Sequence, residues 1–357
     1  MKDAERLAAI GFAPPLWGGE AAVFPRPVPS KELRDRYRGS LLAGAIGDAL
    51  GRPAEGRSRQ DLGRRWPHGL RDFQPWHDYR SGPVGTFTDD TQLTIVVARW
   101  LIQMGTGELN AAPLAEAIEI WGDTGRGIGR ATREALALMR LGRPWWQSGV
   151  ASAGNGAAMR AAPHALRFAG QPDGLRYAAA LGSVPTHADQ TAIAAAVVQA
   201  VGVNHCLAAT PGALDPDALL EALVGCIADL DLPALAHRGT GERRTLSERI
   251  REVGALLGRR TEDVLDHFFN GAFVLETTPV VLWLLLSYCD DPEQALVQAV
   301  MAGRDADTIA AMLGNLLGAL HGTDAFPDRW RGDNLEDHDG LVELADQLYD
   351  LRWPESG

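Results

Sequence analysis

Two short stretches crowd carboxylates and hydroxyls where helices should begin. Thr88-Asp89-Asp90-Thr91 precedes the apolar run from Ile95 to Ala98, and Asp305-Ala306-Asp307-Thr308 precedes a helix rich in small residues. One acid or threonine at such a place is ordinary, because it satisfies unpaired backbone N–H groups and complements the helix dipole. A second carboxylate beside the first is repelled by it and gains little from the same helix end. Four carboxylates (Asp89, Asp90, Asp305, Asp307) with the hydroxyls of Thr88 and Thr308, and no Cys or His beside them, form an oxygen-only donor set. Such a set suits Mg²⁺ or Mn²⁺ rather than zinc, and four carboxylates favour two ions over one.

Three further stretches carry polar groups in unusual company. Gly39 to Gly56 reads as an apolar helix bearing Asp48, stopped at Gly51-Arg52-Pro53, with Glu55 in the following turn. Taken alone, Glu55 fits a surface carboxylate. Ala153 to Pro163, "AGNGAAMRAAP", sets glycines around Asn155 and is expected to open a helix. That junction is either a plain loop or a nest of free backbone N–H groups able to hold a phosphate or diphosphate. His187 precedes a small-residue helix, where a lone histidine is more often a cap or core group than a catalyst. "GRGIGR" from Gly125 is not G-x-G-x-x-G, and neither a G-x-S-x-G elbow nor an H-E-x-x-H helix occurs.

The elements that must position these groups read as helices. Apolar spacing of three and four and long Ala/Leu stretches mark Leu93–Met104, Gln190–Val201, Thr278–Cys289 and Asp307–Leu320, so the fold class is all-α. The second and fourth are dense in Ala and Gly and are expected at the centre. Residues 239–262 read as a solvated helix face, and residues 341–353 as a short closing helix. The boundaries are 1–32, a proline-rich extension expected to lie as an extended arm; 33–322, the main domain; and 323–357, a polar loop and closing helix on the same domain.

The chain has 357 residues, 46% hydrophobic and 22% charged, enough for one sizeable core. Its net charge of -12 opposes a polyanion-coating role, since nucleic-acid affinity rests on Lys and Arg. Cys206, Cys226 and Cys289 have no zinc-ligand spacing. The start lacks the uninterrupted apolar core of a secretory signal, and the apolar run Val280 to Leu286 is far below the roughly 20 residues of a membrane span. A cytoplasmic location with reduced cysteines and no membrane partner is the expectation.

In order, "GSLLAGAIGDALG", "GTFTDDTQL", "GIGRATREAL", "GNGAAMRAAP", "THADQTAIAAA", "FVLETTPVVLWLLL" and "GRDADTIAAMLGNLLGALHG" resemble the ADP-ribosylglycohydrolase family. The resemblance runs over roughly residues 33 to 322. It implies a compact single-domain orthogonal multi-helix bundle with two Mg²⁺ or Mn²⁺ ions at the base of an acidic cleft. It also implies metal-dependent hydrolysis of the N-glycosidic bond between ADP-ribose and a modified protein side chain, with arginine favoured. Thr88, Asp89, Asp90, Asp305, Asp307 and Thr308 would hold the ions. Asp89 or Asp90 would accept a proton from the attacking water, and Glu55 would be a mobile catalytic acid. Gly154, Asn155, Gly156, Ala157 and Met159 would belong to the diphosphate cradle, His187 to the ribose and phosphate side, and Phe273 to the adenosine contact.

The partner implied is an ADP-ribosylated protein met by a monomer, with nucleic acid not expected. Alternatives are hydrolysis of ADP-ribosyl-serine, O-acetyl-ADP-ribose or ADP-ribosylated nucleic acid, or occlusion of a cognate ADP-ribosyltransferase by the N-terminal arm. One departure stands inside a motif: the second cluster usually begins Gly-Gly-Asp, and here Arg304 replaces the second glycine. Its side chain is expected to turn away from the acids.

Overall fold

A computed structural model describes residues 3–9, 24–76, 83–235 and 243–354. Among them are α1 (Asp3–Ala9), α2 (Lys31–Gly51), α3 (Arg59–Arg65), α4 (Asp89–Met104), α5 (Ala112–Trp121), α6 (Arg130–Arg140), α7 (Trp145–Ser148), α8 (Ala162–Arg167) and α9 (Pro172–Ser183). Then follow α10 (Gln190–Ala208), α11 (Pro216–Gly225), α12 (Leu246–Ala255), α13 (Thr261–Phe268), α14 (Val274–Tyr288), α15 (Pro292–Met301), α16 (Ala306–His321) and α17 (His338–Arg352). The two strands, β1 (Ala234–Leu235) and β2 (Arg243–Arg244), form one short antiparallel ladder. The fold is all-α, and each of the four helices expected from apolar spacing is present.

The site is built on the pair α2 and α16. Ser30 caps α2 by accepting the Leu33 N–H at 3.0 Å. Glycines then line one face: a methyl on Gly47 would fall 2.1 Å from Ala310 O, and one on Gly318 would fall 2.0 Å from Gly39 O. Any side chain there would force the helices apart, so small residues let the backbones nearly touch. Ser40 and Asn315 stitch the pair, the hydroxyl donating to Asn315 O at 3.0 Å and the amide to Ser40 O at 2.8 Å. Gly51 meets Ala306 and Asp307 while Gly39 meets Gly318, so the helices run antiparallel. The end of α2, with Asp48, therefore lies at the beginning of α16.

Helix α10 is long and apolar enough to cross a membrane by composition, but it is almost wholly buried inside the protein. Asp189 caps it, and Gln199 Nε2 donates to Met312 O at 2.9 Å, fixing it to α16. Both small-residue helices are thus central. Helix α17 closes over α2, where Arg38 donates twice to the Asp346 carboxylate at 2.8 Å.

Three local expectations need correction. Residues 3–9 are helical rather than extended, because the prolines begin only later and "DAERLAA" holds good helix formers, a buried Leu7 and an Arg6–Asp3 ion pair at 2.8 Å. The extended arm holds for residues 24–30, where Pro25 O accepts from Asn204 Nδ2 at 3.0 Å; "APPLWGGE" lies outside the described residues. The charged stretch at 239–262 is not one helix face, since Arg243–Arg244 forms a strand and α12 starts after Thr245, which makes a capping box with Glu248.

Candidate active site: an acidic cleft floor

A cavity of about 350 Å³ opens where α4 and α16 begin, walled by Glu55, Asp89, Asp90, Gly154, Asn155, Gly156, Met159, His187, Asp305, Asp307 and Thr308. The two sequence clusters therefore meet. Thr88, Ala157 and Phe273 do not face this cavity. Thr88 is fully buried behind it, Ala157 packs in the core, and Phe273 packs on the core while Ala272 beside it takes the wall.

Neither cluster behaves as an ordinary cap. Thr88 and Asp305 occupy the N-cap positions of α4 and α16, and neither side chain caps its helix. Asp48 of α2 takes over for α4. Its carboxylate accepts the Thr88 N–H at 2.9 and 3.0 Å, the Thr91 N–H at 3.0 Å and the Thr91 hydroxyl at 2.7 Å. The Thr88 hydroxyl stands 2.8 Å from Asp48 Oδ1 and 3.0 Å from Asp90 Oδ2. One hydroxyl proton cannot serve both carboxylates, so this group of oxygens is short of a positive charge or a proton.

The start of α16 is held differently. Asn155 Nδ2 donates to Asp305 Oδ2 at 2.5 Å and to Thr277 Oγ1 at 3.0 Å, while Asn270 Nδ2 donates to Gly303 O at 2.8 Å. Arg52 NH1 lies 4.0 Å from Asp307 Oδ2, pairs with Glu55, and stacks 5.0 Å from the Trp76 ring centre. Glu55 keeps 36% of its side chain exposed. Arg304 turns away from the acids as expected: its guanidinium lies 3.7 Å over Phe269 and donates to Asn270 Oδ1 at 3.3 Å.

Burial and repulsion dominate the acids' chemistry. Burial, then Asp307 and Asp48, raises Asp89 well above the ordinary range; burial, then Asp48 and Asp307, does the same to Asp90. Burial lifts Asp48 to about 6, opposed by the Thr91 and Thr88 donors, and lifts Asp305 to about 7, with Asp307 adding to it and Asn155 opposing. Asp307 is raised by burial and held down by Arg52. These are groups short of positive charge.

A cation is one remedy, and the residues fit it. Asp90 Oδ1 is buried with no hydrogen-bond partner, and the donors around it are all oxygen. Among the described residues no three acidic, histidine or cysteine side chains already close on one point, so ligation would require small rotations of these carboxylates.

The glycine-rich wall opens a helix as expected, at its far end. Residues 155–160 form a turn and α8 opens at Ala162, with Pro163 in its first turn. Gly154 N–H donates to Ser152 Oγ at 3.3 Å and Asn155 N–H to Ala272 O at 3.1 Å, so these two are not free for an anion. Sequence reasoning noted Asp48 but gave it no task, and it gave no wall position to Gly127, Gly129 or Thr132. Gly127 has φ +75, and a methyl there would fall 2.9 Å from Asp89 Oδ1. Its signal was the close glycine spacing before α6, which also falls in the motif "GIGRATREAL".

The sequence model of the family described as ADP-ribosylglycohydrolase matches residues 29–356. An uncharacterized protein of Archaeoglobus fulgidus is 30% identical over 89% of this chain and 97% of its own. ADP-ribosylhydrolase ARH3 of Danio rerio is 29% identical over 89% and 91%, and that of Homo sapiens 28% over 88% and 93%. A solved structure described as an ADP-ribosylglycohydrolase-related protein complex superposes with a TM-score of 0.70 at 28% identity, covering 90% of this chain and all of that one.

Proposed function

The chain belongs to the ADP-ribosylglycohydrolase family, hydrolases acting on ADP-ribose glycosidic bonds, and from that premise we propose that it removes ADP-ribose from a modified protein side chain, arginine first. The observation that carries this reading is the convergence of the α4 and α16 starts on one buried floor, where Asp90 Oδ1 has no partner. Asp89, Asp90, Asp305, Asp307 and Thr308 would hold two divalent cations, Mg²⁺ or Mn²⁺. Thr88 would contribute through its hydroxyl contact with Asp90. Bound there, such ions supply charge neutralisation and a more acidic water.

The chain's own residues do the rest. Cleavage at C1 develops oxocarbenium-like charge and calls for a proton on the leaving group. Glu55, exposed at the rim and paired with Arg52, is placed to swing inward and protonate the leaving group. Asn155 joins the floor to the glycine wall, so substrate and acids are held in one frame.

The test is release of ADP-ribose from arginine-, serine- and O-acetyl-linked conjugates with Mg²⁺ or Mn²⁺ and a chelator control. Release from the arginine conjugate, abolished by chelator and lowered roughly 10²- to 10⁴-fold in Glu55→Gln, is expected. Activity surviving the chelator, or confined to another conjugate, removes the cation or the arginine part of the proposal.

A further inference from the structure

The N–H groups of Gly154 and Asn155 are engaged on that wall, and His187 stands behind it as a further donor. A methyl on Gly156 would fall 2.7 Å from His187 Cε1 and 3.2 Å from Nε2, and one on Gly154 would fall 3.6 Å from Nε2. Glycine therefore lets the Nε2 edge of the ring come up to the cavity, which His187 lines.

The opposite edge is set by a buried chain of polar groups. Arg160, 1% exposed, donates to Gly156 O at 3.0 Å, Gly182 O at 3.1 Å and Thr186 Oγ1 at 2.7 Å. Thr186 Oγ1 lies 2.9 Å from His187 Nδ1 and 3.5 Å from Ser183 O. A guanidinium only donates, so Thr186 oxygen is the acceptor toward Arg160 and keeps one proton of its own. That proton makes a well-formed bond to Nδ1 or one at the distance limit to Ser183. The first choice leaves Nδ1 without hydrogen and puts the ring proton on Nε2.

We propose that the chain Arg160, Thr186, His187 fixes the imidazole as its Nε2–H tautomer, presenting a hydrogen-bond donor to an oxygen of a phosphate or sugar in the cleft. Arg160 and Thr186 are then positioning residues. Nε2 has no lone pair to offer, so His187 is not the general base. Burial, with Arg160 beside it, pushes His187 down to about 3, consistent with a ring that stays uncharged. Arg160 has no carboxylate among its hydrogen-bond acceptors, and its charge adds to the pull on an anion at the turn.

The tautomer is inferred from the Arg160–Thr186–His187 distances; that the bound oxygen belongs to ADP-ribose rests on the proposed function. The experiment is nitrogen-15 NMR of the histidine-labelled full chain, with His187→Gln to identify the signal, and ADP-ribose affinity by calorimetry. The expected wild-type signature is protonated Nε2 and bare Nδ1. Thr186→Ser should keep both the signature and the affinity. Thr186→Val should admit the Nδ1–H form and weaken ADP-ribose binding roughly three- to tenfold, the worth of one hydrogen bond. A wild-type Nδ1–H ring, or a Thr186→Val protein unchanged in both readouts, overturns the proposal. If wild type binds no ADP-ribose, the proposed function fails while the ring signature still decides the tautomer.

Discussion

The starts of α4 and α16 are near copies in sequence and opposites in support. The α4 start rests on another acid, Asp48, whose carboxylate gathers the amides and hydroxyls of Thr88 and Thr91. Amides support the α16 start, through Asn155 and Asn270, with Arg52 as the nearby cation. A carboxylate support fixes the backbone tightly but adds charge to a crowded floor. An amide support fixes it without adding charge, and so leaves room for the Asp305 and Asp307 charges.

The largest expected effect follows from removing a floor acid at either end. Asp307→Ala or Asp90→Ala should lower ADP-ribose release roughly 10²- to 10⁴-fold, the range for lost acid/base groups, and remove cation binding with it. Melting temperature without cations should rise, because one member of a repelling set is gone. A variant that lost activity but kept normal Mn²⁺ binding by calorimetry would separate floor from ligand.

Removing the acid support should break the comparison on one side only. Asp48→Ala leaves two amides and the Thr91 hydroxyl at the α4 start without their acceptor, a loss of about 3 kcal/mol if two of them stay unpaired. Denaturant unfolding measures it, and hydrogen exchange should localise the loosening to the first turn of α4. Asn155→Ala, on the amide side, should cost about 1 kcal/mol, and its main effect should be on Asp305.

The floor acids also set a pH window. Burial raises Asp48 to about 6 and Asp305 to about 7, and holds Asp89, Asp90 and Asp307 above the ordinary 3.8, so the folded protein binds these protons more tightly than the unfolded chain. Stability from these groups is fully present below pH 3.8 and is lost as pH rises through about 6 and about 7. Melting without cations should show that fall, Mn²⁺ should stabilise most above it, and Asp48→Ala should make it shallower. A flat profile without cations would contradict the repulsion argument.

The smallest effect is expected at Arg304, where φ is +55. Arg304→Gly relieves a left-handed backbone worth roughly 1 kcal/mol and forfeits the stacking on Phe269, a similar amount, so its stability should be near wild type. Arg304→Ala forfeits the stacking and keeps the strain, and should be less stable by about 1 kcal/mol. Both should retain ADP-ribose release, because Arg304 faces away from the acids.

Much of this was legible from local pattern. Apolar spacing marked Leu93–Met104 and Asp307–Leu320 as helices, and doubled acids at their starts marked them as more than caps. The residues that escaped act through space. Asp48 reads as a stray polar group in an apolar helix until Thr88 and Thr91 are placed against it. "GNGAAMR" reads as an open anion nest until Ser152 and Ala272 are seen to take its first two amides.

The sequence by itself determined the helices, the oxygen-only donor set and the small residues of α2, α10 and α16, because backbone preference, side-chain chemistry and burial pattern are local properties. Only the tertiary structure decided that the two acidic starts share one floor, that Asp48 rather than Thr88 closes the end of α4, and that Arg160 and Thr186 stand behind the His187 ring. Those outcomes depend on distances between segments far apart in the chain. The distances follow from how closely glycine lets α2 and α16 approach, a packing result that no single stretch contains.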